Sequence, residues 1–241
     1  MQAPPEITDD QVRRMLSERY ARPGEGLDTA FVKVPLQKIV CIGAIYVERT
    51  DRGLWTVIRS GVVHVGSRSE RELVEGFVHS LTEVPSPRLV GFNSSSFDLP
   101  VLRYRALALA VPAQAIHGSN GRDYWYRYGW DHIDICDMIS GFGASARPSF
   151  AELAALSGIP AKIGGIDGSK VESIVAAGKL DELAAYCDTD IFVTYLLFLR
   201  FSLVSGAVNL ESYGGSLVHL RQHIADRIEK GPDRRGSRAR R

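Results

Sequence analysis

The stretch Arg88-Leu-Val-Gly-Phe-Asn-Ser-Ser-Ser-Phe-Asp98-Leu-Pro100 decides the fold. Its first part, closed off by Pro85-Ser-Pro87, is a short apolar run that reads as a buried strand. From Leu99 to Ala110 apolar residues recur at helical spacing, and Pro100 is comfortable in a first helical turn. A polar turn therefore joins a buried strand to a helix, with Asp98 at the junction. Open α/β sheets bind ligands beyond the carboxyl ends of their strands, so Asp98 stands where a ligand-binding carboxylate would stand. Helix capping explains the same residues: Ser96 or Asp98 would satisfy free backbone N–H groups, and taken alone the cap is the stronger reading.

Working outward, the N-terminal side begins with Thr8-Asp9-Asp10, a helix-start cluster, followed by Val12, Met15, Leu16 and Tyr20 until Pro23-Gly24 stops the helix. From Val34 to Val47 and from Leu54 to Val65 the chain is β-branched and apolar around the polar turn Arg49-Thr-Asp-Arg-Gly53, which predicts an antiparallel hairpin. Leu73, Val74, Phe77, Val78 and Leu81 form a helical stripe over 70–81. Beyond Pro100 lie a short strand over His132–Cys136 and helices over 150–157, 171–177, 180–204 and 210–228. This order predicts one α/β domain with a mixed sheet flanked by helices.

Length and composition agree with one domain over 1–228: the chain has 241 residues, of which 45% are hydrophobic and 24% charged. No leader pattern or membrane-length apolar run is visible, so a cytoplasmic protein without membrane contact is expected. Cys41, Cys136 and Cys187 are far apart in sequence, sit in apolar contexts and show no CxxC spacing, which predicts buried thiols. Residues 229–241 form a basic tail. From Lys230 to Arg241 six basic residues face one acid, leaving about −4 elsewhere from a total of +1, so global charge gives no argument for nucleic acid. The tail is too polar and glycine-broken to fold. It would add non-specific phosphate affinity or serve solubility.

The second informative stretch is Tyr186-Cys-Asp-Thr-Asp190, inside the long helix. Leu180, Leu183, Cys187, Ile191, Thr194, Tyr195 and Phe198 mark its apolar stripe, and Asp190 falls within it. A buried unpaired carboxylate costs several kcal/mol, so a metal, a basic side chain or a solvated cleft must face it. Tyr186 lies one turn earlier on the same face. An arginine-paired aspartate beside a core tyrosine fits this helix equally well. Asp188 points elsewhere and reads as a solvated surface residue.

These segments resemble a known group, the predicted 3′-5′ exonucleases related to the proofreading domain of family-B DNA polymerases, in the DEDD superfamily with a ribonuclease-H-like fold. The resemblance runs from about Phe31 to Gly206. It rests on VPLQKIVCIGAIYV, LVGFNSSSFDLPVLRYRAL, YWYRYGWDHIDICDMIS, FAELAALSGIPAKIGGIDGSKV and AAYCDTDIFVTYLLFLRF, in that order. The last is a third motif of the tyrosine type, YxxxD. The resemblance implies hydrolysis of phosphodiesters at 3′ ends with two Mg²⁺ or Mn²⁺ ions, one activating water and one stabilising the leaving oxygen. It implies nucleic acid as partner, single-stranded DNA first and RNA second. Asp98 and Asp190 would be metal carboxylates, Tyr186 would orient the attacking water, and Asn93 and Phe97 would shape the substrate side.

The family's first motif is an Asp-x-Glu on an opening central strand, and the sequence contains no Asp-x-Glu. By the resemblance, Met1 falls in the loop after that strand, as a start placed at an internal Met would leave it, so the mixed sheet is expected to lack its first central strand. Replacement by Glu6, Asp9 or Asp10 is disfavoured, since Glu6 follows two prolines and the aspartates open a helix. With two acidic ligands the chain is expected to be nearly inactive. A non-catalytic nucleic-acid or partner-binding module is the rival reading; a nucleotide-binding enzyme is weak, because neither GxxxxGK[ST] nor GxGxxG occurs.

Three further features carry two readings each. The stretch 117–130 interleaves Trp125 and other aromatics with Arg122 and Arg127, which suits base stacking and phosphate contact, or packing of a long loop. Asp134 and Asp137 flank a strand end; Asp134 matches a recurring family position, though a turn or cap role is favoured, and His132 reads as structural. Lys162 would meet a phosphate or simply sit solvated in its loop.

Overall fold

The computed structural model describes residues 8–21, 26, 32–84, 86–160 and 171–230. Glu6, Lys162 and the tail beyond Lys230 lie outside the described residues. Helix α1 (Asp9–Tyr20) starts where expected: Thr8 accepts from the Gln11 backbone N–H while the Gln11 side chain returns to Thr8, a reciprocal cap. Strand β1 (Cys41–Arg49) begins later than expected, because Val34–Leu36 forms a 3₁₀ turn with Pro35 in its first turn. It pairs antiparallel with β2 (Trp55–His64).

The hairpin's faces follow from a single irregularity. On β1, Ile42 faces one core cluster, while Gly43, Ile45 and Val47 face the helices behind. On β2 the register shifts so that Tyr46 pairs with Arg59 and Val47 with Val57, leaving Ile58 extra. That bulge turns Val57 and Trp55 onto the side already occupied by Ser60. Without it, period-2 alternation would send them to the opposite face.

Next come α2 (Glu70–Ser80), β3 (Leu89–Gly91), α3 (Asp98–Ala108), β4 (His132–Asp134) and α4 (Ile135–Ile139). The strand expected over 132–136 stops at Asp134, whose carboxylate accepts the N–H groups of Cys136 and Asp137 and turns the chain into α4. Strands β3 and β4 are parallel, with Leu89 opposite His132 and Gly91 opposite Asp134. The remaining helices are α5 (Phe150–Leu156), α6 (Val171–Ala176), α7 (Leu180–Val204) and α8 (Leu210–Lys230), close to the expected spans.

The architecture is mixed α/β. Among the described residues the strands form two separate two-stranded sheets, β1-β2 and β3-β4, rather than one mixed sheet. Two apolar clusters fill the interior. One gathers Val74, Leu99, Leu102, Ile116 and Tyr124, with Ile42 and Val63 of the hairpin against it. The other gathers Ile133, Val193, Phe198, Leu199 and Leu220, with Ile45, Val47, Trp55 and Val57 against it. Val74 and Leu199 are fully buried, each contributing roughly 1.5–3 kcal/mol of transfer free energy. No described helix is long and apolar enough to cross a membrane.

Candidate active site

The turn after β3 is built by β4. Asp134, itself 4% exposed, accepts the N–H groups of Asn93 (2.8 Å) and Ser95 (2.9 Å) in addition to its two bonds into α4. Ser94 meets His132 Nε2 at 2.8 Å. Burial lowers the His132 pKa, and a neutral ring accepts from the Ser94 hydroxyl at that nitrogen. Gly91 makes room for this, because a Cβ there would overlap the Ser94 side chain. Asn93 takes a left-handed φ of 56°, which asparagine tolerates well. Asp134 and His132 thus have the structural roles expected of them, and they extend to holding the whole 93–95 turn.

Asp98 is the first residue of α3; the N-cap position falls on Phe97, which makes no side-chain cap hydrogen bond, and the Asp98 carboxyl accepts its own backbone N–H. The Asp98 carboxyl is pushed up to about 6, first because protein surrounds it, with a backbone N–H offsetting this and the nearby Asp134 charge adding to it. The residue nonetheless keeps exposed surface. Together these describe a carboxyl that water reaches from one side while protein crowds it on the others. Phe97 and Asn93, beside it, are exposed.

On α7, Asp190 is half-buried, and loss of water raises its pKa, partly offset by a hydrogen bond from the Tyr186 hydroxyl. The one-turn spacing read from sequence is therefore a direct contact. Among the described residues no arginine pairs with Asp190; Arg227 instead pairs with Asp188 at 3.1 Å. That corrects the solvated reading of Asp188, which is held between α7 and α8. Helix α7 reaches β1 closely because residue 43 is glycine: a Cβ there would lie 2.8 Å from Cys187 Sγ and 2.9 Å from Ile191 Cγ2.

The aromatic loop divides between its two readings: Tyr124 and Trp125 pack onto the core, while Tyr126, Tyr128 and Trp130 stay exposed. Trp125 Nε1 donates to the Ile116 carbonyl at 2.9 Å, and the Arg103 guanidinium lies 4.8 Å from its ring centroid. Arg127 forks onto Asp137 at 2.6 and 2.7 Å, and Arg147 reaches the same carboxylate at 2.6 Å. The two arginines hold the Asp137 carboxyl below its usual range, with the hydrogen bonds from Arg127 leading. Both Trp125 and Arg127 still border a pocket of ≈ 170 Å³ beside the 93–98 turn, shared with Ser95, Ser96, Leu99 and His132. The Asp137 clamp was missed in the sequence, because Arg127 and Arg147 each stand ten residues away within irregular segments.

Among the described residues no three His, Cys, Asp or Glu side chains gather into a metal-holding group. Asp98 and Asp190 by themselves do not make a centre for two divalent ions, whose charge takes several carboxylates to offset.

No curated protein matches the chain. A family model matches residues 29–235, most of the 241-residue length, and brings with it a nuclease-like hydrolase related to enzymes that act on nucleic acid. The chain belongs to the family described as predicted 3′-5′ exonucleases related to the exonuclease domain of PolB.

Proposed function

We propose that this chain is a DEDDy-class exonuclease domain acting on single-stranded DNA 3′ ends, with Asp98, Tyr186 and Asp190 at its reaction centre, and that the 241-residue chain is catalytically impaired. The observation that carries the reading is a pair of carboxyls, Asp98 and Asp190, both raised above the ordinary range by surrounding protein and neither ion-paired to a basic side chain among the described residues. Such groups gain most from a cation supplied from outside. The chain's own contribution is positioning: the Tyr186 hydroxyl orients the Asp190 carboxylate, and Asp134 fixes the turn that presents Asp98. Asn93, Phe97, Trp125 and Arg127 would receive the strand, with the bordering pocket suited to an aromatic base. Lys162, outside the described residues, remains a candidate phosphate contact on its loop sequence alone.

Impairment follows from the donor set, which lacks Asp-x-Glu and offers no group of three ligands among the described residues. The same observation favours a second reading, a nucleic-acid-binding module without catalysis. A 5′-labelled single-stranded oligonucleotide tests both. With Mg²⁺ or Mn²⁺, trimming by residues 1–241 is expected to stay near background, while binding in EDTA falls steeply with salt. Clear 3′ trimming that disappears in Asp190→Ala would overturn the impairment. Neither trimming nor binding, on DNA or RNA, would overturn the nucleic-acid reading.

A further inference from the structure

The three cysteines do not share the buried fate that their sequence contexts predict. Cys136 is 3% exposed, and burial pushes its thiol up. Cys41 and Cys187 are half-buried and lie near enough for each thiol to shift the other's proton affinity. Cys41 opens β1, and Gly43, two residues on, shares its face toward α7. The missing side chain at Gly43 lets Cys187 Sγ settle against that strand. A residue on the first strand and one on the long helix, 146 positions apart, thus place two thiols side by side at a partly open surface.

We infer that Cys41 and Cys187 form a reversible disulfide on exposure to a peroxide, an oxidation site that staples β1 to α7 next to Tyr186 and Asp190. The chemistry balances in two steps. The Cys41 thiolate attacks the peroxide oxygen, taking a hydroxyl to become a sulfenic acid and releasing hydroxide. The Cys187 thiol then attacks that sulfur, the S–S bond forms and water leaves, so two electrons pass from the thiols to the peroxide. The Cys187 thiol lowers the Cys41 pKa, whereas Cys187 holds its own proton more tightly. Cys41 is therefore the group that attacks first, since the thiolate is the nucleophile.

The readout is covalent and independent of nuclease activity. The reduced full chain is treated with a small excess of hydrogen peroxide and alkylated, then read by intact mass and by a non-reducing digest. Loss of two of the three alkylatable thiols, a cross-linked peptide pair containing Cys41 and Cys187, and restoration by dithiothreitol are expected; Cys136→Ser should form the same link and lose both of its thiols. In Cys187→Ser the link should vanish and Cys41 should progress to sulfinic acid. Should that variant fail to fold, the digest of the unaltered chain still decides. Three alkylatable thiols after oxidation, or a link involving Cys136 or a second chain, would overturn the inference.

Discussion

The corner where β4 meets α4 and the pair of segments carrying Asp98 and Asp190 both place aspartates against protein, with opposite results. Asp134 and Asp137 are almost fully enclosed, and their oxygens are taken up, by four backbone N–H groups in one case and two guanidiniums in the other. Asp98 and Asp190 keep more exposed surface, yet surrounding protein raises their carboxyls, and the backbone N–H at Asp98 and the Tyr186 hydroxyl at Asp190 offset this only in part. Burial therefore does not by itself mark a reactive carboxylate. What marks it is lone pairs left without donors in a place that water or a ligand can reach.

That contrast makes the largest effects structural. Asp134→Ala leaves several N–H groups without an acceptor and should cost about 3–5 kcal/mol in urea unfolding; an unchanged midpoint would break the comparison. Asp137→Ala strands two half-exposed guanidiniums and should cost roughly 2 kcal/mol, less than a fully buried pair would. Asp98→Asn should act in the other direction. A carboxyl whose folded pKa is about 6 destabilises the folded state above that pH, and the penalty fades as pH falls toward the unfolded value near 3.9. The substitution should thus add about 1 kcal/mol at pH 7, after allowance for solvent screening, and flatten the stability profile between about pH 6 and 4. Smallest is Tyr186→Phe, expected to change stability by about 0.5–1 kcal/mol and to raise the Asp190 pKa further, read by carboxyl NMR titration.

Much of this was legible in the sequence. The helices carry full apolar stripes and caps such as Thr8, Ser69 and Ser149, so their ends fell within a residue or two of expectation. The YxxxD spacing foretold the Tyr186–Asp190 contact because one helical turn fixes it. Long-range partnerships were less visible. The Asp134 clamp on residue 93 spans 41 positions, and the Cys41–Cys187 approach depends on a glycine two residues from the first cysteine. The early end of β4 was hidden too, since Ile135 and Cys136 suit a strand until the Asp134 side chain claims the amides of Cys136 and Asp137. The single mixed sheet was inferred from element order, which does not report the hydrogen bonding between strands.

The β1-β2 hairpin lends Ile42 and Val63 to one apolar cluster and Ile45, Val47, Trp55 and Val57 to the other. Neither half of the interior can loosen without exposing part of the same ribbon. Amide hydrogen exchange should therefore find its slowest protons in the paired backbone of β1 and β2, opening by global unfolding, whereas the short β3-β4 pair should exchange through smaller excursions.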